Sequence, residues 1–115
     1  SEMTDRELFT IGEIVRVLPV FADFASKHLV EVTRQCAEIL GDEKGLDTVL
    51  RLVRDALPER LYETAYALAC DVAVVDGHLE PEELRLLEII REALSLDRLN
   101  AVAIERGCRA HYMRL

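Results

Sequence analysis

The sequence predicts an all-α fold: a single-domain helical bundle spanning residues 1–115, with about six helices and a pseudo-two-fold internal repeat. Three observations predict it. Apolar residues recur at helical spacing along nearly the whole chain, and no sustained two-residue alternation bounded by hairpin turns interrupts them. Only three Pro and five Gly occur, and the best placed of them mark helix boundaries. The start of the chain also repeats the pattern of its centre.

Thr4-Asp5-Arg6-Glu7 has the Thr-x-x-Glu form of a capping box. A helix follows to about residue 18, with Leu8, Ile11, Ile14, Val15 and Leu18 inward, and Pro19 ends it. Ser26 caps a second helix reaching about residue 40, which buries Leu29, Val32, Cys36 and Ile39. Residues 41–45 form a turn. Asp47 caps a short third helix with Val49, Leu50, Val53 and Leu57 inward.

Pro58 opens a central helix over residues 58–75, with Leu61, Ala65, Leu68, Ala69 and Val72 along one face. Residues 66–75 are nearly all small or apolar, so this helix is expected to be buried on most sides. Asp76-Gly77 breaks it, because Gly77 takes a positive φ without strain. Pro81 suits the first turn of the next helix, where its missing N–H would be unpaired anyway. Glu80, Glu82 and Glu83 crowd that helix start, where the backbone dipole favours negative charge. Leu84, Leu87, Ile90, Ala93 and Leu94 are expected inward. Ser95 or Asp97 then caps a final helix ending within residues 109–114.

The formal net charge of −8 repels nucleic acid and admits divalent cations or a basic protein partner. No window of eighteen consecutive apolar residues is present, so no membrane span is expected. Cys36, Cys70 and Cys108 are odd in number and have no CxxC spacing. Buried, reduced thiols in a cytoplasmic protein are the expectation. No nucleophile motif, Gly-rich phosphate loop or HExxH is present.

Laid under residues 77–94, residues 1–18 match at Met3 with Leu79, Glu7 with Glu83, and Leu8 with Leu84. Ile11, Ile14 and Leu18 then fall under Leu87, Ile90 and Leu94. The mate of Asp76 would lie just before Ser1, so a further helix ending in an Asp is expected upstream.

The turn from Asp76 to Glu83 reads D-G-x-L-x-x-x-E, like the second half of an EF-hand loop. The earlier ligand positions of such a loop fall on Val72 and Val74, which offer no side-chain oxygen, so an ordinary EF-hand is not expected. Asp76 and Glu83 are candidate metal ligands, or else a capping Asp and a Glu that satisfies loop N–H groups. Glu7 is either a third ligand converging from the other half or the closing residue of its own capping box. Asp71, in the apolar run, needs a cation such as Arg85, Arg91 or Lys27, or a metal, because an isolated buried charge is costly.

Asp76-Gly77, Leu79, Glu83 and Leu87 fit the pattern D-G-x-[IL]-x-x-x-E-x-x-x-L, and the chain resembles the TerB-like domains of the tellurite-resistance TerB family. The resemblance implies an all-α bundle with pseudo-two-fold symmetry, acidic motif residues that are candidates for divalent-cation binding, and a link to tellurite or stress resistance. The expected function is therefore a non-enzymatic binding module. Oxygen-only ligands favour calcium, magnesium or manganese over zinc. A protein partner or homo-oligomer is expected. The alternatives are a purely structural helical interaction domain and, less favoured, a metal-dependent hydrolase.

Overall fold

The computed structural model describes Glu31, Arg34, Gln35, residues 45–74 and residues 77–115. The expected helix over residues 4–18, the first half of the repeat, Glu7, Cys36, Val75 and Asp76 lie outside the described residues. The chain divides into two compact units, Ser1–Val49 and Leu50–Leu115.

Four α-helices follow one another: α1 (Gly45–Ala56), α2 (Tyr62–Ala73), α3 (Pro81–Ala93) and α4 (Arg98–His111). No β-strand occurs among the described residues. Glu31, Arg34 and Gln35 are helical too, and the Glu31 carboxylate accepts from Arg34 at 2.7 Å and Gln35 at 3.1 Å. No described helix is long and apolar enough to cross a membrane.

α1 starts at Gly45, so Asp47 sits in its first turn rather than at its cap. It favours the helix through the dipole instead. Pro58 does not open α2 directly. Its extended backbone leads into a 3-10 turn, Glu59–Leu61, and the α-helix begins at Tyr62. The Tyr62 hydroxyl donates to the Arg54 carbonyl at 2.7 Å and so satisfies one carbonyl left open at the end of α1.

Every residue from 64 to 74 is buried or half-buried, as the small apolar composition of α2 requires. The face that meets the core differs from expectation. Tyr66 and Cys70 are buried, with Ala69 and Ala73 packed beside them. Ala69 packs on the core as expected, but the buried face is turned by one residue, about 100°, from Leu61, Ala65, Leu68 and Val72. A helix apolar nearly all round carries no internal signal of which side faces inward. α2 ends at Ala73, short of the expected residue 75. The β-branched Val74 is extended, donates its N–H to the Cys70 carbonyl at 2.9 Å, and is 2% exposed. β-branched side chains give up little by leaving a helix, and here leaving it buries one.

α2 is the central element, and both α4 and α3 pack on it, α4 the more extensively. The core comprises Tyr66, Cys70 and Val74 from α2 and its end, Leu87 from α3, and Ala101 and Cys108 from α4. Fully burying a side chain the size of Leu87 contributes about 2–3 kcal/mol. Pro81 occupies the first turn of α3 as its fixed φ dictates. Leu87 and Leu94 are buried and Ile90 and Ala93 half-buried, but Leu84 is exposed. Steps of three residues drift about 60° around a helix, so Leu84 rotates off the stripe centred on Leu87, Ile90 and Leu94.

α3 closes with two hydrogen bonds of the Schellman pattern: Ser95 N–H to Glu92 carbonyl at 3.1 Å and Leu96 N–H to Arg91 carbonyl at 3.0 Å. This places Ser95 at φ 54°, in the left-handed region. Leu96 packs back on the core beside Ile90, the apolar contact that accompanies this closure. Asp97 then caps α4 by accepting from the Asn100 N–H at 3.2 Å.

Ser95 is the residue of the α3–α4 junction with backbone strain to release. Left-handed backbone costs an L-residue roughly 1–2 kcal/mol, partly offset by glycine's larger unfolded-state entropy. Ser95→Gly is therefore expected to stabilise the protein by about 0.5–1 kcal/mol in urea unfolding. Ser95→Val should destabilise it, since a β-branched residue tolerates that region worst.

Candidate functional site

Two places concentrate chemistry: the turn between α2 and α3, and the seam between α2 and α4. At the turn, Gly77 has φ +82° and is buried. A Cβ built there would lie 2.9 Å from Met113 Cα, Cε and Sδ. Residue 77 is thus glycine for two independent reasons, a left-handed backbone and the closeness of the segment after α4. Leu79 packs on the core and so anchors the far side of the turn.

Glu83, in the first turn of α3, is half-buried. It does not close a capping box, because the Glu80 cap position carries no side-chain hydrogen bond. Among the described residues no hydrogen bond or ion pair engages its carboxylate. The loop N–H groups of residues 75 and 76, which the capping alternative for Glu83 invokes, lie outside the described residues. Asp76 and Glu7, its expected companions, lie outside the described residues. Among the described residues no group of three or more His, Cys, Asp and Glu side chains converges to hold a metal ion. His78, in the turn, is exposed.

The seam holds Tyr66, Cys70 and Asp71 on α2, Glu105 and Cys108 on α4, and Tyr112 at the end of α4. The Cys108 thiol donates to Asp71 Oδ1 at 3.4 Å. The Tyr112 hydroxyl lies within hydrogen-bonding reach of the same carboxylate, and the Tyr66 hydroxyl within reach of Glu105. The expected ion pair of Asp71 with Arg85 or Arg91 is not what forms. Arg85 pairs with Glu88 at 3.5 Å, and Arg91 reaches Glu92 at 3.7 Å and the Leu96 carbonyl at 3.3 Å. Lys27, the third expected cation, lies outside the described residues. Asp71 is half-buried and accepts from a thiol instead, with the Tyr112 phenol close by. No buried side-chain nitrogen or oxygen among the described residues lacks a partner.

Burial is the first cause that pushes both thiols up from 9.0 to about 12. For Cys70 the neighbouring Cys108, Glu105 and Asp71 add to it, and for Cys108 the hydrogen bond and negative charge of Asp71 do. Burial likewise raises both tyrosines, with Glu105 reinforcing it at Tyr66 and Asp71 at Tyr112. Cys70 and Cys108 are free and buried, as the spacing of the cysteines predicts. Protonated thiols of this kind are poor nucleophiles and poor metal ligands. The seam holds α2 to α4. Sequence reasoning missed its polar character, although Tyr66 and Cys70 on α2 are four residues apart, and Glu105, Cys108 and Tyr112 on α4 follow at three and four, spacings that lie on one helix face.

No protein-family model matches the chain, no curated protein is significantly similar to it, and no solved structure matches it.

Gly77→Ala should destabilise the protein by at least about 1–2 kcal/mol from backbone strain alone. The contact with Met113 adds to that loss. Met113→Ala in the same chain removes the Sδ and Cε contacts but not the one to Cα. Chemical denaturation of the single and double variants is expected to show partial recovery. A neutral Gly77→Ala would contradict the described turn.

The seam has a pH signature. Its thiols ionise near 9.0 when unfolded and near 12 when folded. The neutral thiols therefore support the fold fully below about pH 9, and that support is lost as the pH rises through 9 to 12. Urea midpoints measured across this range should fall, and fall less steeply in Cys70→Ala with Cys108→Ser, which keeps a donor for Asp71. In the native protein near pH 8, Cys70 and Cys108 should label with a thiol reagent only as fast as the seam opens, read site by site by mass spectrometry.

Proposed function

We propose that this chain is a non-enzymatic binding module of the TerB-like kind, a helical bundle of two similar halves, whose acidic turn binds a divalent cation in a cytoplasmic tellurite or stress response. The observation that carries the reading is Glu83: a half-buried carboxylate on the first turn of α3 with no protein partner among the described residues. Carboxylates withdrawn from water are ordinarily paired or metal-bound. The D-G-x-L-x-x-x-E motif supports the same reading, because the positive φ of Gly77 is the backbone that a sharp reversal of this kind needs.

The ligand set proposed is Asp76 and Glu83, with Glu7 from the matching motif and further oxygens from backbone or water. Asp71 is left out of it, because its Oδ1 accepts from the Cys108 thiol. Oxygen ligands favour calcium, magnesium or manganese over zinc. The tellurite and stress role rests on the motif resemblance alone.

Calorimetric titration of chelator-treated protein with these four cations tests the reading. One saturable event is expected with calcium, magnesium or manganese, lost in Asp76→Asn and in Glu83→Gln and retained in Asp71→Asn. Cation at a hundredfold excess over its Kd should stabilise the fold by about 2.7 kcal/mol, read as a rise in Tm. Absence of heat with every cation, or binding that survives Asp76→Asn, overturns the proposal.

A further inference from the structure

We infer that Cys70 and Cys108 are a dithiol pair that oxidation closes into a disulfide across the α2–α4 seam. Both thiols are free in this structure, and both belong to the one buried core shared by α2, α3 and α4. They lie within the compact unit Leu50–Leu115, and neither takes part in the acidic turn.

Helix register sets the two sulfurs level. Tyr66 on α2 reaches Glu105 on α4, and five residues further along α2 Asp71 accepts from Cys108 and faces Tyr112. The two helices therefore ascend together, and Cys70 falls between these two crossings, opposite Cys108. Cys108 is also first among the groups whose negative charge would hold the Cys70 thiol protonated. Ala101, with no exposed surface, and Ala69 and Ala73 pack around the pair, small side chains that let the helices approach. Axes of packed helices lie about 8–10 Å apart, with each Cα about 2.3 Å from its axis. Facing Cα atoms then come to roughly 3.5–5.5 Å. A pair slightly off the line of centres falls in the roughly 4.4–6.8 Å that a disulfide spans.

Cys108 is the entry thiol. It is 8% exposed against none of Cys70, and it stands in the last turn of α4, where helices fray first. As a thiolate it attacks a low-molecular-weight disulfide such as glutathione disulfide, forming a mixed disulfide and releasing one thiol. The Cys70 thiolate then attacks the Cys108 sulfur and expels the second thiol. Two cysteine thiols become one cystine, and their two electrons and two protons leave with the reagent as two thiols. Burial keeps both cysteines protonated, so closure waits on opening of the seam and takes about minutes to hours. The bridge removes the hydrogen that Cys108 donates to Asp71, and the Tyr112 phenol is the donor left beside that carboxylate.

The whole chain is equilibrated near pH 8 with reduced and oxidised glutathione, in buffer and in denaturing urea, then quenched in acid and mapped unreduced by mass spectrometry. Cys70 linked to Cys108 is expected as the main intramolecular product of the native chain. Its closure constant should be at least about tenfold higher than in urea, because the folded seam holds the two thiols together. The oxidised chain should unfold at a higher urea midpoint than the reduced one, and dithiothreitol should reverse the shift. Cys36→Ser should change neither result. Cys108→Ser should abolish the link, with a thermal melt to show that the variant folds. Absence of the link in native protein, a link no more favoured than in urea, Cys36 as the preferred partner of either cysteine, or a urea midpoint that falls on oxidation overturns the inference.

Discussion

The α2–α4 seam is the contact on which this fold depends. Three residues with polar groups from α2 meet three from α4 and its end in a place largely withdrawn from water, and each group must find a partner there or cost the fold about 1–3 kcal/mol. All but Cys70, whose thiol is only a weak donor, do so across the seam. Asp71 accepts from Cys108 and faces Tyr112, while Tyr66 faces Glu105. Because donors and acceptors match only in one alignment of the two helices, the seam fixes register as well as contributing burial. Cys70 and Ala101, with no exposed surface at all, fill the space between.

From that seam the rest of the described structure is positioned by short, well-specified connections. Gly77 turns the chain beneath Met113, so the segment after α4 holds the turn before α3. The Schellman closure at Ser95 and the Asp97 cap set how α3 hands over to α4. Charge is distributed unevenly: Glu80, Glu82 and Glu83 crowd the start of α3, while α4 carries exposed Arg98, Arg106 and Arg109.

The boundaries that local chemistry controls were legible in the sequence. Pro81 at the start of α3, the Asp97 cap and the positive φ of Gly77 each follow from a property of that residue and its immediate neighbours. The turn-borne Glu83 was legible as a candidate for the same reason. The end of α2 was not, because Val74 leaves the helix to fill a cavity among residues distant in sequence. The partner of Asp71 was not legible either. A cation is the default expectation for a carboxylate in an apolar helix, and a thiol thirty-seven residues away is chosen only by packing.

By itself the sequence determined that the described chain is helical, where most of its helices start and turn, and that Cys70 and Cys108 are buried thiols. Those properties arise from backbone sterics, caps and apolar periodicity, which act over a few residues. Tertiary structure alone decided which face of α2 is inward, that Asp71 accepts from Cys108, and that Leu99 and Val102 stay exposed. A helix apolar on nearly every side has no preferred direction until its neighbours are in place. A polar group's partner, likewise, exists only once the helices have packed.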